Sequence, residues 1–425
     1  MKTFDLIIAG GGMVGASAAI ALSQLGLKIA LVESNPPAHT SNSSFDQRAV
    51  ALSAASVSIF KSLGIWDSIK PFAESIQNIH VSDQGHFGFA RIKSADYAVE
   101  ALGEVIPLDQ TGPKMWQTIE QSENIEVYSP FELVKTITLS DSQLGSDELF
   151  KRVTVTLKNK QDNQEQVISS KLLLGADGTF SSVAKLAGID IESTNYQQHA
   201  IIANIATQHA HDNRAFERFT SSGPLALLPL TQNRLSLVWC NQEDDIEALM
   251  ACDDNEFRQK LQLAFGYRLG AISKVGARAQ YPLALRVAAK PFAEGVLLLG
   301  NAAHTLHPIA GQGFNIGIRD VAALTDHIER AMETKTTDIG SLEFLQNYQA
   351  SREKDWHRTI SATDWLVRIF SHEFLPVVIA RDKALNLIDK LPFLKRQLAY
   401  SAMGIADKSA KLTRGLTRVN QQPQK

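Results

Sequence analysis

Short apolar runs that end in glycine-rich loops recur along this chain of 425 residues. The first run covers residues 4–9, and apolar positions at helical spacing follow it over residues 13–25. A second run over residues 28–32 completes a strand–helix–strand unit. Two later runs end at Gly175 and at Leu299, and helical patterns follow both of them. This alternation of strands and helices predicts an α/β domain built on a parallel sheet.

A different pattern occupies the middle of the chain. Between residues 188 and 285, strand-like segments follow one another with one helical segment, residues 254–265, among them. Such a succession predicts an antiparallel sheet in a second domain. Residues 79–92 hold two strand-like runs around a turn, which predict a hairpin belonging to that sheet. Residues 49–60 have apolar positions at helical spacing, and we expect a helix there.

The first glycine loop, residues 10–15, has the features of a dinucleotide-binding turn. Gly10, Gly12 and Gly15 lie between the first strand and its helix, and Glu33 follows eighteen positions after Gly15. In such a turn the first glycine allows the tight bend, the second lets the backbone approach a pyrophosphate, and the third brings helix and strand together. An acidic residue at position 33 accepts from a ribose hydroxyl, which favours FAD or NAD over NADP. A purely structural glycine turn is the alternative.

The second loop, residues 175–181, also follows an apolar strand. Asp177 and Gly178 are expected at the carboxyl end of that strand, where the ligands of open α/β sheets bind. Asp177 is equally suited to cap the short helix that follows, and this alternative needs no ligand.

The third loop, residues 300–315, contains Pro308, two histidines and several glycines. Gly311 and Gly313 leave backbone N–H groups exposed where a helix begins, with the positive end of its dipole behind them. Such a helix start suits a flat group that carries partial negative charge. A turn that only packs closely is the alternative.

Composition and charge restrict the function classes. The formal net charge of −3 argues against a nucleic-acid binder, whose surface would be basic. Cys240 and Cys252 provide neither a metal site nor a disulfide framework, so we expect reduced thiols and no metal. We expect neither a signal peptide nor a membrane-spanning helix, and hence a cytoplasmic protein.

The C-terminal stretch is basic. Ten Lys or Arg residues and three Asp residues give positions 381–425 a net charge of +7. Apolar residues at helical spacing accompany these charges: Leu385, Ile388, Leu391, Leu394 and Leu398. Such a helix lies either on an anionic membrane surface or against its own protein with a solvated basic face. Both alternatives stay open.

Together, the three loops point to a known family. Over residues 3–370 the chain resembles the FAD-dependent aromatic monooxygenases of the p-hydroxybenzoate hydroxylase type, and residues 304–315 are similar to the ubiquinone-biosynthesis hydroxylases among them. Residues 80–89, 215–220 and 223–229 most resemble the branch that acts on 2-polyprenyl-6-methoxyphenol.

The resemblance implies a Rossmann-like FAD-binding domain with a parallel sheet, an antiparallel-sheet substrate domain and a helical C-terminal tail. The FAD-binding domain is assigned residues 1–78, 101–187 and 286–335. The substrate domain is assigned residues 79–100, as a hairpin, and 188–285. The C-terminal helices are assigned residues 336–425.

The activity that the resemblance implies is a monooxygenation. FAD, reduced by NAD(P)H, would react with dioxygen, and a flavin hydroperoxide would hydroxylate a polyprenylated phenol of the 2-polyprenyl-6-methoxyphenol type in ubiquinone biosynthesis. Other proteins of that pathway, and a membrane surface reached through the basic tail, are further expected partners. Two alternatives stay open: a flavin dehydrogenase or polyprenyl reductase that inserts no oxygen, and a flavin-binding assembly protein.

Site residues are also implied by the resemblance. The cofactor-binding set is Gly10, Gly12, Met13, Val14, Gly15, Glu33, Arg48, Asp177, Gly178, Asn301, Gly311, Gln312, Gly313, Phe314 and Asn315. Pro308 would shape the flavin-facing wall, and no catalytic side chain is identified. Arg218 is a candidate substrate contact, with an ion pair to Glu217 or another acid as the alternative.

Two positions depart from the family pattern. Asn301 stands where an aspartate is usual, so a neutral amide would meet the ribityl chain of the flavin. Ala184 stands where an arginine is common, which weakens the expectation of a nicotinamide-nucleotide contact at the second loop. His304 and His307 are assigned structural roles.

Overall fold

The computed structural model describes residues 1–35, 48–138, 152–334, 338–370, 383–384, 387, 389–405 and 410–415. Most of the polar loop predicted over residues 34–47 lies outside the described residues, as do Leu385 and Ile388 of the basic tail.

The strands of the described part are β1 (Lys2–Ala9), β2 (Ile29–Val32), β3 (Ala49–Ser53), β4 (Glu74–Ile76), β5 (Asn78–Asp83), β6 (Phe89–Lys93), β7 (Gly103–Pro107), β8 (Ile125–Tyr128), β9 (Phe131–Thr138), β10 (Val153–Asn159), β11 (Glu165–Gly175), β12 (Glu192–Thr207), β13 (Arg214–Thr220), β14 (Gly223–Leu230), β15 (Arg234–Gln242), β16 (Ile272–Val275), β17 (Ala279–Val287), β18 (Phe292–Ala293), β19 (Val296–Leu298) and β20 (His304–Thr305). The α-helices are α1 (Met13–Ser23), α2 (Ala54–Ser62), α3 (Trp66–Ile69), α4 (Leu108–Glu120), α5 (Ser182–Leu186), α6 (Glu243–Ala251), α7 (Asp254–Phe265), α8 (Gln312–Thr334), α9 (Leu342–Phe370) and α10 (Pro392–Ala402).

The first sheet has a parallel centre. Strands β19, β11, β1, β2 and β8 lie side by side in that order and run parallel. Every residue of β2 is buried, as expected for a strand covered on both faces. Leu6 and Ile8 pack with α1 and α8 on one face. Ile7 and Ala9 pack with β9, β10 and α5 on the other. The carboxyl ends of β1 and β11 therefore meet at one edge, which brings the first and second loops together.

The second sheet is almost entirely antiparallel. Its strand order is β20-β17-β12-β15-β14-β13-β5-β6, and the pair of β13 with β5 is its parallel exception. Helices α6 and α7 cover one face, where Phe257 and Phe265 are buried against Leu225 and Leu237. The hairpin predicted over residues 79–92 is formed by β5 and β6, which are the outer strands of this sheet.

The prediction of a helix over residues 49–60 is wrong for the first part of that range. Residues 49–53 form β3, which pairs antiparallel with β7, and the helix begins at Ala54. Ser53 caps that helix by accepting the N–H of Ser56. Alanine, valine and serine fit either conformation, and the distant partner strand selects the extended one.

The predicted fold class is confirmed: a parallel-centred α/β layer is joined to an antiparallel sheet, and helices follow at the C-terminal end. The boundaries of the domains stay predictions. None of the helices in the described ranges has both the length and the apolarity needed to cross a bilayer.

Candidate active site

Three of the four glycines in the first loop, Gly10, Gly11 and Gly15, are tightly packed, and Gly12 faces open space. Gly10 has a φ of +99°, and a Cβ there would lie 2.5 Å from the Ala176 carbonyl oxygen. A Cβ on Gly15 would overlap the carbonyl oxygen of Gly10. A Cβ on Gly12 would meet nothing within 4 Å, and α1 begins there without a side-chain cap. The loop therefore presents uncapped backbone N–H groups to open space.

Glu33 supports this loop from the end of β2. Its Oε2 accepts the backbone N–H of Gly11 at 2.6 Å, and its Oε1 accepts that of Asn35 at 2.8 Å. The carboxylate thus fixes the position of the glycine turn. Each of its oxygens retains further acceptor capacity for a hydroxyl group.

In the second loop, the structure shows the helix-cap alternative for Asp177. Its Oδ2 accepts the N–H of Ser182 at 2.7 Å, and its Oδ1 accepts the hydroxyl of Ser181 at 2.6 Å. These bonds satisfy the start of α5. Ala176 and Gly178, on either side of Asp177, line the neighbouring cavity.

The third loop is held against β3 by Asn315, which is 2% exposed. Its Oδ1 accepts the N–H of Ser53, and its Nδ2 donates to the carbonyls of Ala51 and Gly311, each over 2.7–2.8 Å. Gly311 has a φ of +60°, where a side chain would be strained. Asn315 therefore positions the loop and the start of α8.

One cavity of about 950 Å³ connects these loops. The predicted residues that line it are Gly12, Met13, Val14, Arg48, Gly178, Asn301, Pro308, Gly311, Gln312, Gly313, Phe314 and Asn315. Of the predicted set, Gly10, Gly15, Glu33 and Asp177 are not among its lining residues and instead shape the loops around it.

Comparisons with known proteins agree with this geometry. Residues 3–362 match the model of the FAD binding domain family. Ubiquinone hydroxylase UbiL of Rhodospirillum rubrum is 31% identical, over 95% of this chain and 90% of that protein. The 3-demethoxyubiquinol 3-hydroxylase of Escherichia coli is 30% identical, over 94% of this chain and 98% of that protein.

The chain belongs to the family of FAD-dependent ubiquinone-biosynthesis hydroxylases. It is therefore an FAD-dependent aromatic-ring monooxygenase, and NAD(P)H is the reductant typical of this family. The crystal structure of p-nitrophenol 4-monooxygenase PnpA from Pseudomonas putida has the same fold, with a TM-score of 0.76 at 18% identity over 95% of this chain and 99% of that one.

The hydroxylase cavity extends beyond the three loops along the antiparallel sheet, and residues of the small sheet formed by β3, β7 and β4 also line it. We call this second part the apolar arm and define it by Ile79, Val81, Ile92, Ala226, Leu228 and Val238. These residues belong to β5, β6, β14 and β15 and lie on the sheet face opposite α6 and α7. The sequence analysis anticipated a cavity between the sheet and the third loop but could not specify its lining.

Arg218 does not lie where the hydroxylase was predicted to contact its substrate. Its Nε donates to the Ala264 carbonyl at 2.8 Å, at the end of α7, and Arg218 is not a lining residue of the cavity. The physical reason is the alternation of side chains along β13. Glu217, the preceding residue, lines the cavity instead and was missed as a candidate. The sequence of residues 215–220 holds no signal that decides between the two faces, because each alternate set contains one phenylalanine and one charged residue.

Both histidines of the third loop are buried in the hydroxylase fold. Burial lowers the pKa of His307 to about 4. Burial also lowers the pKa of His304 to about 4, although the charge of Asp320 opposes it. His307 Nδ1 accepts the N–H of Ile309, and its Nε2 lies 3.3 Å from Gln198 Oε1. The imidazole of His307 is therefore neutral near pH 7, with Nε2 as its donor.

A buried ionic cluster joins α8 to α9 behind the third loop and was also missed by the sequence analysis. Arg319 and Arg352 both donate to Asp355, and Arg352 and Trp356 donate to Asp320. The Trp356 ring lies 4.7 Å from that of His304. The cluster therefore fixes the first half of α8 against α9.

Proposed function

We propose that this enzyme hydroxylates the ring of a polyprenylated phenol of the 2-polyprenyl-6-methoxyphenol type in ubiquinone biosynthesis, with FAD, NAD(P)H and dioxygen. The observation that supports this substrate is the continuity of one cavity from the three polar loops into the apolar arm. A ring held at the loops leaves an apolar tail to be buried, and the arm offers aliphatic side chains to cover it.

The residues present fit FAD. We propose that the amides of Gly12, Met13 and Val14 hold its pyrophosphate, since the open Cβ position of Gly12 lets a ligand approach the uncapped start of α1. Glu33 would accept from the adenosine ribose. When bound, FAD supplies the oxygen-activating chemistry.

The isoalloxazine end is assigned to the third loop. We propose that the backbone at Gly311, Gln312 and Gly313 faces the ring system, where the start of α8 favours negative charge. The cavity-lining Arg48, Asn301, Phe314 and Pro308 would complete this part of the site. Asp177 and Asn315 would hold the loops in place.

The reaction is tested with the purified, FAD-loaded chain, NAD(P)H and ¹⁸O₂. We expect one labelled oxygen in the product ring when a prenylated methoxyphenol is supplied. Reduction of substrate without label would instead identify a dehydrogenase or reductase. The phenol that accumulates in cells lacking this protein identifies the ring substituents independently.

The tail preference is tested with phenols of increasing prenyl length. Burial of each methylene-sized group contributes roughly 0.8 kcal/mol, so each five-carbon isoprene unit that becomes fully buried in the arm should lower KM by at least about tenfold. Val238→Ser on the arm should weaken this dependence, whereas Lys260→Ser, at a partly exposed position on α7, should not. A KM that is independent of chain length would contradict this assignment of the arm.

We also propose that the C-terminal region contacts the membrane surface. Phe393 is 76% exposed and Trp365 is 68% exposed, and Leu398 is both partly exposed and a lining residue of the cavity. Exposed apolar side chains in the C-terminal region, with basic residues such as Lys390 and Arg396 close by in the chain, suit an anionic bilayer that holds the substrate.

Flotation with vesicles that contain anionic phospholipid tests this contact. We expect the wild-type chain to float and Phe393→Ser to float less, since the variant removes an exposed apolar ring. The matched control is Leu263→Ser, where the leucine is also 76% exposed but belongs to α7 and not to the C-terminal region. Equal flotation of the two variants would contradict the proposal.

A further inference from the structure

Three strands carry basic side chains on the face of the antiparallel sheet that α6 and α7 cover. In β5, His80 lies between two cavity-lining residues, so its side chain points to the opposite face. Arg91 of β6 is the cross-strand partner of His80. On β13, Arg218 donates from Nε to the Ala264 carbonyl of α7 at 2.8 Å, and Arg214, four positions earlier in the strand, lies on the same face.

Arg268 joins this group from the segment after α7. Its Nη1 donates to the Phe265 carbonyl at 3.2 Å, and the Phe265 ring packs edge-on against Phe216, whose ring lies 5.9 Å from that of His80. Three of the four arginines are exposed, and the fourth is half-buried. We call them the basic patch and define it by four side chains: Arg91, Arg214, Arg218 and Arg268.

The basic patch has no acidic counterpart in the part of the chain that the structure describes, where none of its arginines forms an ion pair. Burial lowers the pKa of His80 to about 4, and the charges of all four arginines act in the same direction. Burial and the charge of Arg268 also lower the pKa of Arg218, although Asp83 opposes them. Like charges held this close repel one another, so an added anion would stabilise the patch.

Helix α6 carries the opposite charge. It contains no Lys or Arg and four exposed acidic residues, which we call the acidic patch: Glu243, Asp244, Asp245 and Glu247. Over the described ranges, none of these carboxylates forms an ion pair. The buried Ile246 and Leu249 hold α6 on the sheet face that also packs against α7. The acidic and basic patches therefore lie on one face of the molecule.

A face with two patches of opposite charge is complementary to a second copy of itself. Rotation by 180° about an axis in the contact plane, midway between the patches, places each patch over the opposite patch of the second copy. One symmetric contact then compensates the charge of both copies, and electrostatic attraction favours this orientation over others. Tyr267, which is 73% exposed beside Arg268, adds an aromatic ring of the kind enriched at protein interfaces.

We propose that the α6–α7 face binds a second copy of this chain in a two-fold symmetric dimer, with the acidic patch of each copy on the basic patch of the other. The inference is independent of the proposed function. The apolar arm of the cavity lies on the opposite face of the antiparallel sheet, so the contact leaves it accessible. A monomer whose arginines hold some other anion is the competing outcome.

Charge reversal in the full, FAD-loaded chain tests this pairing. One variant makes both patches acidic through three substitutions: Arg91→Glu, Arg214→Glu and Arg268→Glu. The other makes both patches basic through three substitutions: Glu243→Lys, Asp245→Lys and Glu247→Lys. All six positions are exposed. The matched control reverses two exposed lysines of the α/β part, Lys28→Glu and Lys70→Glu. Sedimentation velocity at low salt gives the mass of each species, and circular dichroism and flavin absorbance check the fold.

We expect wild type and the control to be dimers. Each triple variant alone should dimerise at least about 100-fold more weakly, because like charges then face each other. An equal mixture of the two variants should form dimers again, with one chain of each kind, because opposite charges meet at both contacts. Native mass spectrometry identifies these mixed dimers. A monomeric wild type, variants that dimerise as well as wild type, or a mixture that stays monomeric would overturn the proposal.

Salt and a milder variant cover the case in which a triple variant does not fold. Wild-type dimerisation should weaken as NaCl is added, since salt screens attraction between exposed charges. Arg214→Gln with Arg268→Gln should weaken dimerisation about tenfold at low salt and make it less dependent on salt. Dimerisation that neither the salt nor this variant changes would overturn the proposal.

Discussion

Asn315 and Ser53 are separated by 262 positions, yet the Asn315 Oδ1 accepts the backbone N–H of Ser53 at 2.8 Å. The same side chain accepts the Ser56 hydroxyl and donates to the carbonyl of Gly311. One buried amide therefore joins β3 and α2 to the third loop.

Replacement of Asn315 with alanine should both destabilise the fold and loosen FAD. The change leaves the Ser53 N–H and the Ala51 and Gly311 carbonyls without this partner, and each unsatisfied buried group costs about 1–3 kcal/mol. Urea unfolding measures the loss of stability, and Gln166→Ala at an exposed position is the control. A variant as stable as the control would contradict the positioning role.

The ionic cluster between α8 and α9 makes stability depend on Asp355. Burial acts to raise the pKa of Asp355, but the charges of Arg319 and Arg352 outweigh it and hold that pKa well below its usual range. Asp355→Asn leaves two buried guanidinium groups undercompensated and should cost about 3–5 kcal/mol at pH 7. The exposed Asp244→Asn serves as the control in the same denaturant titration.

The lowered pKa of Asp355 determines the direction in which the unfolding free energy changes with pH. The contribution of Asp355 is fully present above its unfolded pKa of about 3.9 and is lost as the pH falls below that value. The difference in unfolding free energy between wild type and Asp355→Asn should therefore be constant from pH 5 to 7 and shrink below about pH 4. A difference that grows on acidification would contradict this assignment.

His307 should make the fold less stable in mild acid. Its pKa is about 4 in the folded chain and about 6.5 when unfolded, so the unfolded chain binds more protons between these values. The unfolding free energy should fall by up to about 1.4 kcal/mol per pH unit as the pH drops from 6.5 towards 4. His307→Gln should show a shallower slope in unfolding titrations at successive pH values. An unchanged slope would show that this histidine is not buried in its neutral form.

Local signals in the sequence were sufficient to predict the strands and the helix around the first loop. The apolar runs at β1 and β2 and the glycines between them lie where the spacing predicted, since neighbouring residues determine this unit. Residues 49–53 were predicted to be helical but form a strand. Their conformation is determined by the partner strand β7, which lies about fifty residues further along the chain.

The orientation of side chains in the site depended on contacts that sequence could not provide. Glu217 and Arg218 are adjacent, and only the register of β13 with β5 and β14 determines which of them faces the cavity. Asp177 was expected either to cap a helix or to meet a ligand, and the positions of Ser181 and Ser182, which show that it caps α5, could not be read from the sequence.

Gly15 and Gly12 should respond differently to added side chains. A Cβ on Gly15 would overlap the Gly10 carbonyl, so Gly15→Ala should destabilise the fold by roughly 1–3 kcal/mol or more. A Cβ on Gly12 meets open space, and its φ of −67° suits any residue. Gly12→Val should therefore cost the FAD-free chain only about 1 kcal/mol, the loss expected when valine replaces glycine at a helix N-cap, as measured by urea unfolding.

Titration of the FAD-free chain with FAD, followed by flavin absorbance and fluorescence, tests most directly the claim that the three loops hold one flavin. Wild type should bind one FAD per chain, and the folded Gly12→Val should bind at least tenfold more weakly because its side chain occupies the approach to the α1 amides. Equal affinity of Gly12→Val and wild type, or a wild-type chain that takes up no FAD, would contradict the account.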